Sequence, residues 1–139
     1  MTEPATPAKL QERLDASPFS RFLGLQLVDA DASAHSVAIA MPMRPELERL
    51  PETGQFHGGA IASLIDIAGD FALILSVGEA VPTINYRVDY LRPAMGREIR
   101  ARAVVRRAGR SVGVVDIEVH DAERRLVAVG RGCYGTKPG

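Results

Sequence analysis

A single cysteine, Cys133, excludes any disulfide within the chain and fits a reducing cytoplasm. Neither sign of charge is in excess: 17 Lys and Arg face 17 Asp and Glu. That balance excludes a broad electrostatic attraction to nucleic acid or to an anionic membrane and leaves only local basic patches to consider. Histidine is scarce too. His35, His57 and His120 stand apart from one another and from Cys133, so no metal-ligand spacing exists and no metal is expected. His35 and His120 fall in strand-like runs and read as solvent-facing bystanders. The opening MTEPATPAK holds Glu3, two prolines and no apolar run, so it reads as a short unstructured lead and not as a secretory signal. No internal repeat or low-complexity tract appears.

What the chain does have is apolar content, 46% over 139 residues, enough for one domain with a real core and too little length for two. A lead and short helix over 1–16 precede a single domain over 17–139. One stretch, Gly58 to Gly78 (GGAIASLIDIAGDFALILSVG), is long enough to cross a bilayer, but Asp66 and Asp70 sit near its middle. Each would cost roughly 2.5–3.5 kcal/mol there, too much for a segment rich in Gly, Ala and Ser. It therefore reads as the buried core helix of a protein that does not enter the membrane.

Around this helix the sequence predicts strands. Leu10 and Leu14 give 7–16 the spacing of a short amphipathic helix, which Ser17-Pro18 ends. Strand-like runs follow at 23–30 and 35–41, then an excursion over 42–56 with a helical turn around Glu46–Leu50. After the core helix, 83–91, 97–105, 111–120 and 125–134 alternate apolar and polar residues with period two. Their short spacing predicts an antiparallel meander with one buried face. A helix without a polar face needs cover nearly all round, and the strands are the only cover available. The fold class is α+β, an antiparallel sheet of about six strands wrapped around one long helix.

Asp66 and Asp70 are four residues apart and so share a helix face that is otherwise apolar. Buried carboxylates need partners, so that face must meet a cavity, a subunit boundary or cations; two structural anions paired to arginines are the plain alternative. At the other end, His57-Gly58-Gly59 leaves bare backbone where helical N–H groups lack acceptors, a ready place for a developing oxyanion.

The run Gly54-Gln55-Phe56-His57-Gly58-Gly59-Ala60-Ile61-Ala62-Ser63-Leu64-Ile65-Asp66 resembles the GxxHGGxxxxLxD signature of hotdog-fold acyl-CoA thioesterases of the phenylacetate-degradation (PaaI-like) type. Tyr90-Leu91-Arg92-Pro93-Ala94, with Gly96 behind, is similar to that family's second segment. The resemblance implies that Asp66 is the catalytic acid, as general base or nucleophile, and that the Gly58 N–H polarises the thioester carbonyl with His57 beside it. It also implies that Thr83 helps position water or the carboxylate. Pro51 stands where the family often has Asn, and Gln55 is the candidate to replace its hydrogen bonds.

A thioester is already electrophilic, so a carboxylate and one oxyanion donor suffice, and no cofactor is expected beyond the coenzyme A of the substrate. Gly59 and the basic turn Arg106-Arg107-Ala108-Gly109-Arg110-Ser111 are candidates for binding that coenzyme, whose phosphates suit arginine forks and turn amides. A salt-bridged strand face is the alternative, with Arg100 and Arg102 its first members. Phe71, Leu75 and Tyr86 are candidate lining for an apolar or aromatic acyl group. A non-catalytic acyl-CoA-binding hotdog and a hotdog enoyl-CoA hydratase or dehydratase are the competing readings.

Gly58 and Asp66 are eight residues apart, ~12 Å along one helix axis and roughly 80° apart around it. Both must reach one reacting centre, so the geometry predicts a homodimer with antiparallel helices and shared sites. The resemblance implies the same, with a dimer-of-dimers tetramer as the expected assembly.

Overall fold

The computed structural model describes residues 5–137. Helix α1 (Pro7–Ala16) starts from Thr6, whose side chain accepts the Lys9 N–H, and buries Leu10 and Leu14. Of the opening run expected to be unstructured, residues 7–9 are helical and Ala5 is buried, and residues 1–4 lie outside the described residues. Ser17 ends α1 and at once caps a second helix, α2 (Pro18–Leu23), accepting the Ser20 N–H at 3.2 Å. Pro18 at its first position suits that role, and Gly24 closes it in the left-handed region at φ 70°. This helix takes the start of the run predicted as strand 23–30, so β1 covers Gln26–Asp31.

Strand β2 (Ser36–Pro42) follows a turn held by Asp31, whose Oδ1 accepts from the N–H groups of Ser33 and Ala34. A 3₁₀ turn, Pro45–Leu47, stands where a helical turn was predicted. Helix α3 (Gly58–Val77) ends at Gly78, φ 86°. Strands β3 (Thr83–Tyr90), β4 (Glu98–Ala108), β5 (Val112–Asp121) and β6 (Leu126–Gly135) complete the chain.

All pairings are antiparallel, in the order β1-β2-β4-β5-β6-β3. The predicted meander therefore holds for β4-β5-β6 only. β3 lies outside β6, and β2 takes the place beside β4. The connection 91–97, with Pro93 and Gly96, is too long for a tight hairpin and runs under the start of α3, where the Phe56 N–H donates to the Ala94 carbonyl at 2.9 Å. Ile99, Ala101 and Ala103 of β4 and Val115, Ile117 and Val119 of β5 are all buried with α3 in one core. Among the described residues α3 is the one helix long and apolar enough to cross a membrane, and this sheet covers most of it.

The two sheet edges differ. β1 is guarded by α1, whose Gln11 side chain accepts the Leu27 N–H at 2.9 Å. β3 has no neighbour on its outer side, and Ile84, Tyr86 and Tyr90 are exposed along it. The one-faced burial predicted for this strand is absent because only β6 supports it.

Tyr134 fixes the height of α3 on the sheet. Fully buried, it donates its hydroxyl to the Asp66 carbonyl oxygen at 3.0 Å and occupies the space a side chain at Gly69 would need. A Cβ there would lie 2.8 Å from Tyr134 Cζ and nearer still to the hydroxyl. Gly69→Ala should thus destabilise by about 1–3 kcal/mol, the range for overpacking, although alanine is the better helix former. Denaturant midpoints should also show that Tyr134→Phe recovers part of that loss in the Gly69→Ala background; no recovery would place the strain elsewhere.

Candidate active site

Between Gly59 and Leu75, α3 keeps surface at only six positions: Gly59, Ala62, Ser63, Asp66, Ile67 and Asp70. The steps are three, one, three, one, three, a single helical stripe. It is the face that the chain's own sheet leaves uncovered, and both carboxylates stand on it. Neither carboxylate forms a salt bridge among the described residues, so the reading of two anions paired to arginines fails. Thr83, at the start of β3, donates its hydroxyl to Asp66 Oδ1 at 2.7 Å. That bond holds the carboxylate in one orientation and leaves Oδ2 free of hydrogen bonds within the described chain.

The start of α3 is built with equal economy. His57 is the N-cap, and its Nδ1 accepts the Gly59 N–H at 2.8 Å. As an acceptor Nδ1 carries no proton, so the neutral ring keeps its hydrogen on Nε2. His57 itself is anchored by its N–H to the Leu47 carbonyl at 2.8 Å, and its own carbonyl accepts from Ala60 and Ile61. The Gly59 amide is thereby used, and among the described residues the Gly58 N–H is the one of this first turn left without an acceptor. Tyr90 at the far end of β3 donates to the Gly58 carbonyl oxygen at 2.7 Å, with its ring in van der Waals reach of where a Gly58 Cβ would stand. Sequence reasoning assigned Tyr90 no task; its place in the Tyr90-Leu91-Arg92-Pro93-Ala94 segment was the available signal. Gln55 joins Gly58, Tyr90, Arg49 and Arg92 around a cavity of about 370 Å³ beside this helix start. Pro51 is exposed in the preceding turn.

The chain brings Asp66 to Thr83 and His57 to Gly59, but it leaves Gly58 and Asp66 two turns apart on α3. The basic turn is divided as well. Arg106 donates to Asp116 at 2.8 Å on the outer sheet face, which Arg131 shares at 2.6 Å. Arg100 pairs with Glu98 at 3.1 Å, and Arg102 reaches Ser36. Arg107 and Arg110 form no ion pair among the described residues. Their turn lies at the Thr83 end of the sheet: Thr136 bonds both the Ser111 and the Gly109 carbonyls, and Gly135 bonds that of Pro82. His35 is exposed in its turn, and His120 is half-buried, 4.0 Å from Glu118.

A sequence profile described as the thioesterase superfamily matches residues 53–128, more than half of the chain and the whole of α3. The chain belongs to the thioesterase superfamily. The medium/long-chain acyl-CoA thioesterase YigI of Escherichia coli is 30% identical over 132 residues, covering 84% of each chain. The acyl-coenzyme A thioesterase PaaI of Escherichia coli is 39% identical over 77 residues, covering 55% of this chain and 54% of its own. The structure of E. coli PaaI, from the phenylacetic acid degradation operon, superposes with a TM-score of 0.82 at 25% identity and covers 99% of this chain and 97% of its own. The six-stranded sheet around one long helix is thus the hotdog fold of this superfamily.

Asp70, one turn beyond Asp66, sits in an environment far from water. Its Oδ1 is buried without a partner, and burial first, then the Asp66 charge, pushes its carboxyl from 3.8 up to about 7. The Val81 backbone N–H and Arg13 pull the other way. The folded value lies above the unfolded one, so the stability this group contributes is present below about pH 4 and is lost as pH rises towards 7. Asp70→Asn should therefore stabilise the protein at pH 8, on the order of 2 kcal/mol after discounting for solvent screening, and change it little at pH 4. Melting curves at the two pH values check this; equal shifts at both would mean that the charge of Asp70 carries no cost.

Proposed function

We propose that this thioester hydrolase cleaves acyl-CoA substrates with an apolar acyl group, at sites shared across a homodimer. The observation that carries the reading is the free, oriented carboxylate of Asp66 on the one uncovered stripe of an apolar helix. An ionised base beside a subunit boundary escapes the cost of full burial and can take a proton from water, or attack the thioester carbon itself. The unused Gly58 N–H at a helix N-terminus supplies the oxyanion donor, and the neutral His57 ring keeps the Gly59 amide out of competition. The reaction asks for no metal or cofactor besides the coenzyme A that the substrate carries.

Two features of the surface support the dimer. An antiparallel pairing that sets Asp66 against the partner subunit's Gly58 centres its two-fold on position 62, midway between them. Ala62 stands there between Gly59 and Ser63, and such small side chains permit close helix approach. The open β3 edge, with its exposed Ile84, Tyr86 and Tyr90, needs the same kind of cover. Burial and the Asp66 charge both raise the Tyr86 hydroxyl, which puts that ring beside the same stripe. Two such dimers forming a tetramer remains part of the proposal.

For the acyl group, a cavity of about 450 Å³ opens beside Asp70 between α3 and the α1–α2 corner, walled by Phe19, Ile67, Phe71 and Ile74. Its apolar walls suit an alkyl or aromatic chain, and Phe71 is one of the side chains predicted to line such a pocket.

Asp66→Asn should lower the rate of thiol release from acyl-CoA by at least about a hundredfold, the scale of a lost general base, with the fold intact by circular dichroism. Retention of most turnover would sink the assignment. Mixed dimers of Asp66→Ala and His57→Ala chains, each inactive alone, should recover roughly a quarter of all sites if the sites are shared, and nothing if they are not.

The ion pair of Arg106 with Asp116 leaves Arg107, Arg110 and Ser111 to meet the coenzyme phosphates. Arg107→Ala or Arg110→Ala should raise KM for acyl-CoA more than it lowers kcat, because a remote contact contributes uniform binding. A short thioester without the nucleotide should not respond, and equal losses on both substrates would assign these arginines to the fold.

A further inference from the structure

Asp70 has no task in the chemistry above, yet it is the described carboxylate least well provided for. It shares the uncovered stripe with Asp66, one turn or ~6 Å further along α3. Its Oδ1 meets no donor, while the rest of the side chain borders the cavity walled by Phe19, Ile67, Phe71 and Ile74. The charged and titratable groups around it are few. Arg13 approaches from α1, Asp66 stands on its own helix, and the Tyr134 hydroxyl of β6 feels both carboxylates. Tyr86 of β3 interacts with Asp66 from the other side. Ser17, Ser20 and the Val81 amide add dipoles and no charge.

We propose that Asp66 and Asp70 form a coupled carboxylate pair, in which Asp70 is a positioning residue that holds a proton and sets the base strength of Asp66. The idea rests on the thioesterase reading for its effect on rate, but the coupling itself does not need turnover. With Asp70 protonated, Asp66 faces no second negative charge on the stripe. When Asp70 loses its proton near neutral pH, a second negative charge stands one turn away in a poorly solvated stripe. That charge makes Asp66 hold a proton more tightly, and so makes it a stronger base towards water. During the reaction negative charge moves from Asp66 to the oxyanion at the partner subunit's Gly58, relieving the repulsion. The sign follows: ionisation of Asp70 accelerates hydrolysis by the fraction of the added basicity expressed in the transition state.

Two measurements on the whole chain test this. In the pH profile of kcat on an acyl-CoA, the wild-type rate should rise several-fold between pH 6 and 8. Asp70→Asn should stay active and lose that rise. A merely structural role for Asp70 would scale the whole profile and leave its shape, and an unchanged rise in Asp70→Asn would overturn the proposal.

Independently, carbon-detected NMR of the side-chain carboxyls should show Asp70 titrating near neutrality in the wild type and at lower pH in Asp66→Asn. An Asp70 that titrates in the ordinary carboxylate range, or one indifferent to Asp66→Asn, also overturns it. A wild-type chain that hydrolyses no thioester would defeat the thioesterase reading instead, and the titration would then decide the pair alone. The titration needs only wild type and Asp66→Asn, so a poorly folded Asp70→Asn does not remove the test.

Discussion

The structure depends on one conflict, a twenty-residue apolar helix that must be buried and two carboxylates on it that must not be. The sheet resolves the first demand by wrapping α3 on every side but one. What remains is a stripe of Gly59, Ala62, Ser63, Asp66, Ile67 and Asp70, too apolar to face water comfortably and too charged to enter a core. A surface with that composition calls for a second surface of the same kind. Gly58 heads the helix two turns before Asp66, a spacing that no single helix can bring to one atom, so under the roles proposed for the two the demand for cover and the demand for a complete site have the same solution.

The supporting contacts arrange the backbone around this stripe. Tyr134 ties the Asp66 carbonyl to β6, Thr83 orients the Asp66 side chain from β3, and Tyr90 ties the Gly58 carbonyl to the other end of the same strand. β3 thus touches both Asp66 and Gly58 while, among the described residues, its outer edge stays unpaired. The other edge of the sheet, with no such task, is closed by α1.

Most of this was legible because it rests on local pattern. The length and hydrophobicity of 58–78 required a covered helix, and strand periodicity supplied the cover. The motif around His57 and Asp66 carried the family without any contact being known. The failures lie where pattern is blind. Period two does not say which strands are neighbours, so β3 beside β6 could not be read from 83–91 alone. The Ser17-Pro18 pair signals both a helix stop and a helix start, and only the stop was read, which cost α2. Sequence set Arg100 and Arg102 apart but did not divide Arg106 from Arg107 and Arg110. Their division came from the fold, because Arg106 meets Asp116 of β5 while Arg107, near the end of β4, and Arg110, in the turn, form no ion pair among the described residues.

Asp70 shows how far such reading extends. From sequence it shared a helix face with Asp66, and a cavity, a subunit boundary or cations were the open explanations for both. Among the described residues no side chain closes an ion pair with it, and the fold bears a buried Oδ1 without a partner one turn from Asp66. A replacement by Asn would remove that burden without a change of shape, so stability alone gives no reason for the acid. Unfavourable burial of an ionisable group beside a reactive one is the arrangement by which proteins separate the proton affinities of two identical side chains. Two aspartates on one helix face, one oriented by a hydroxyl and the other with one buried oxygen left unpartnered, are chemically different residues, and the difference comes entirely from what the fold puts around them.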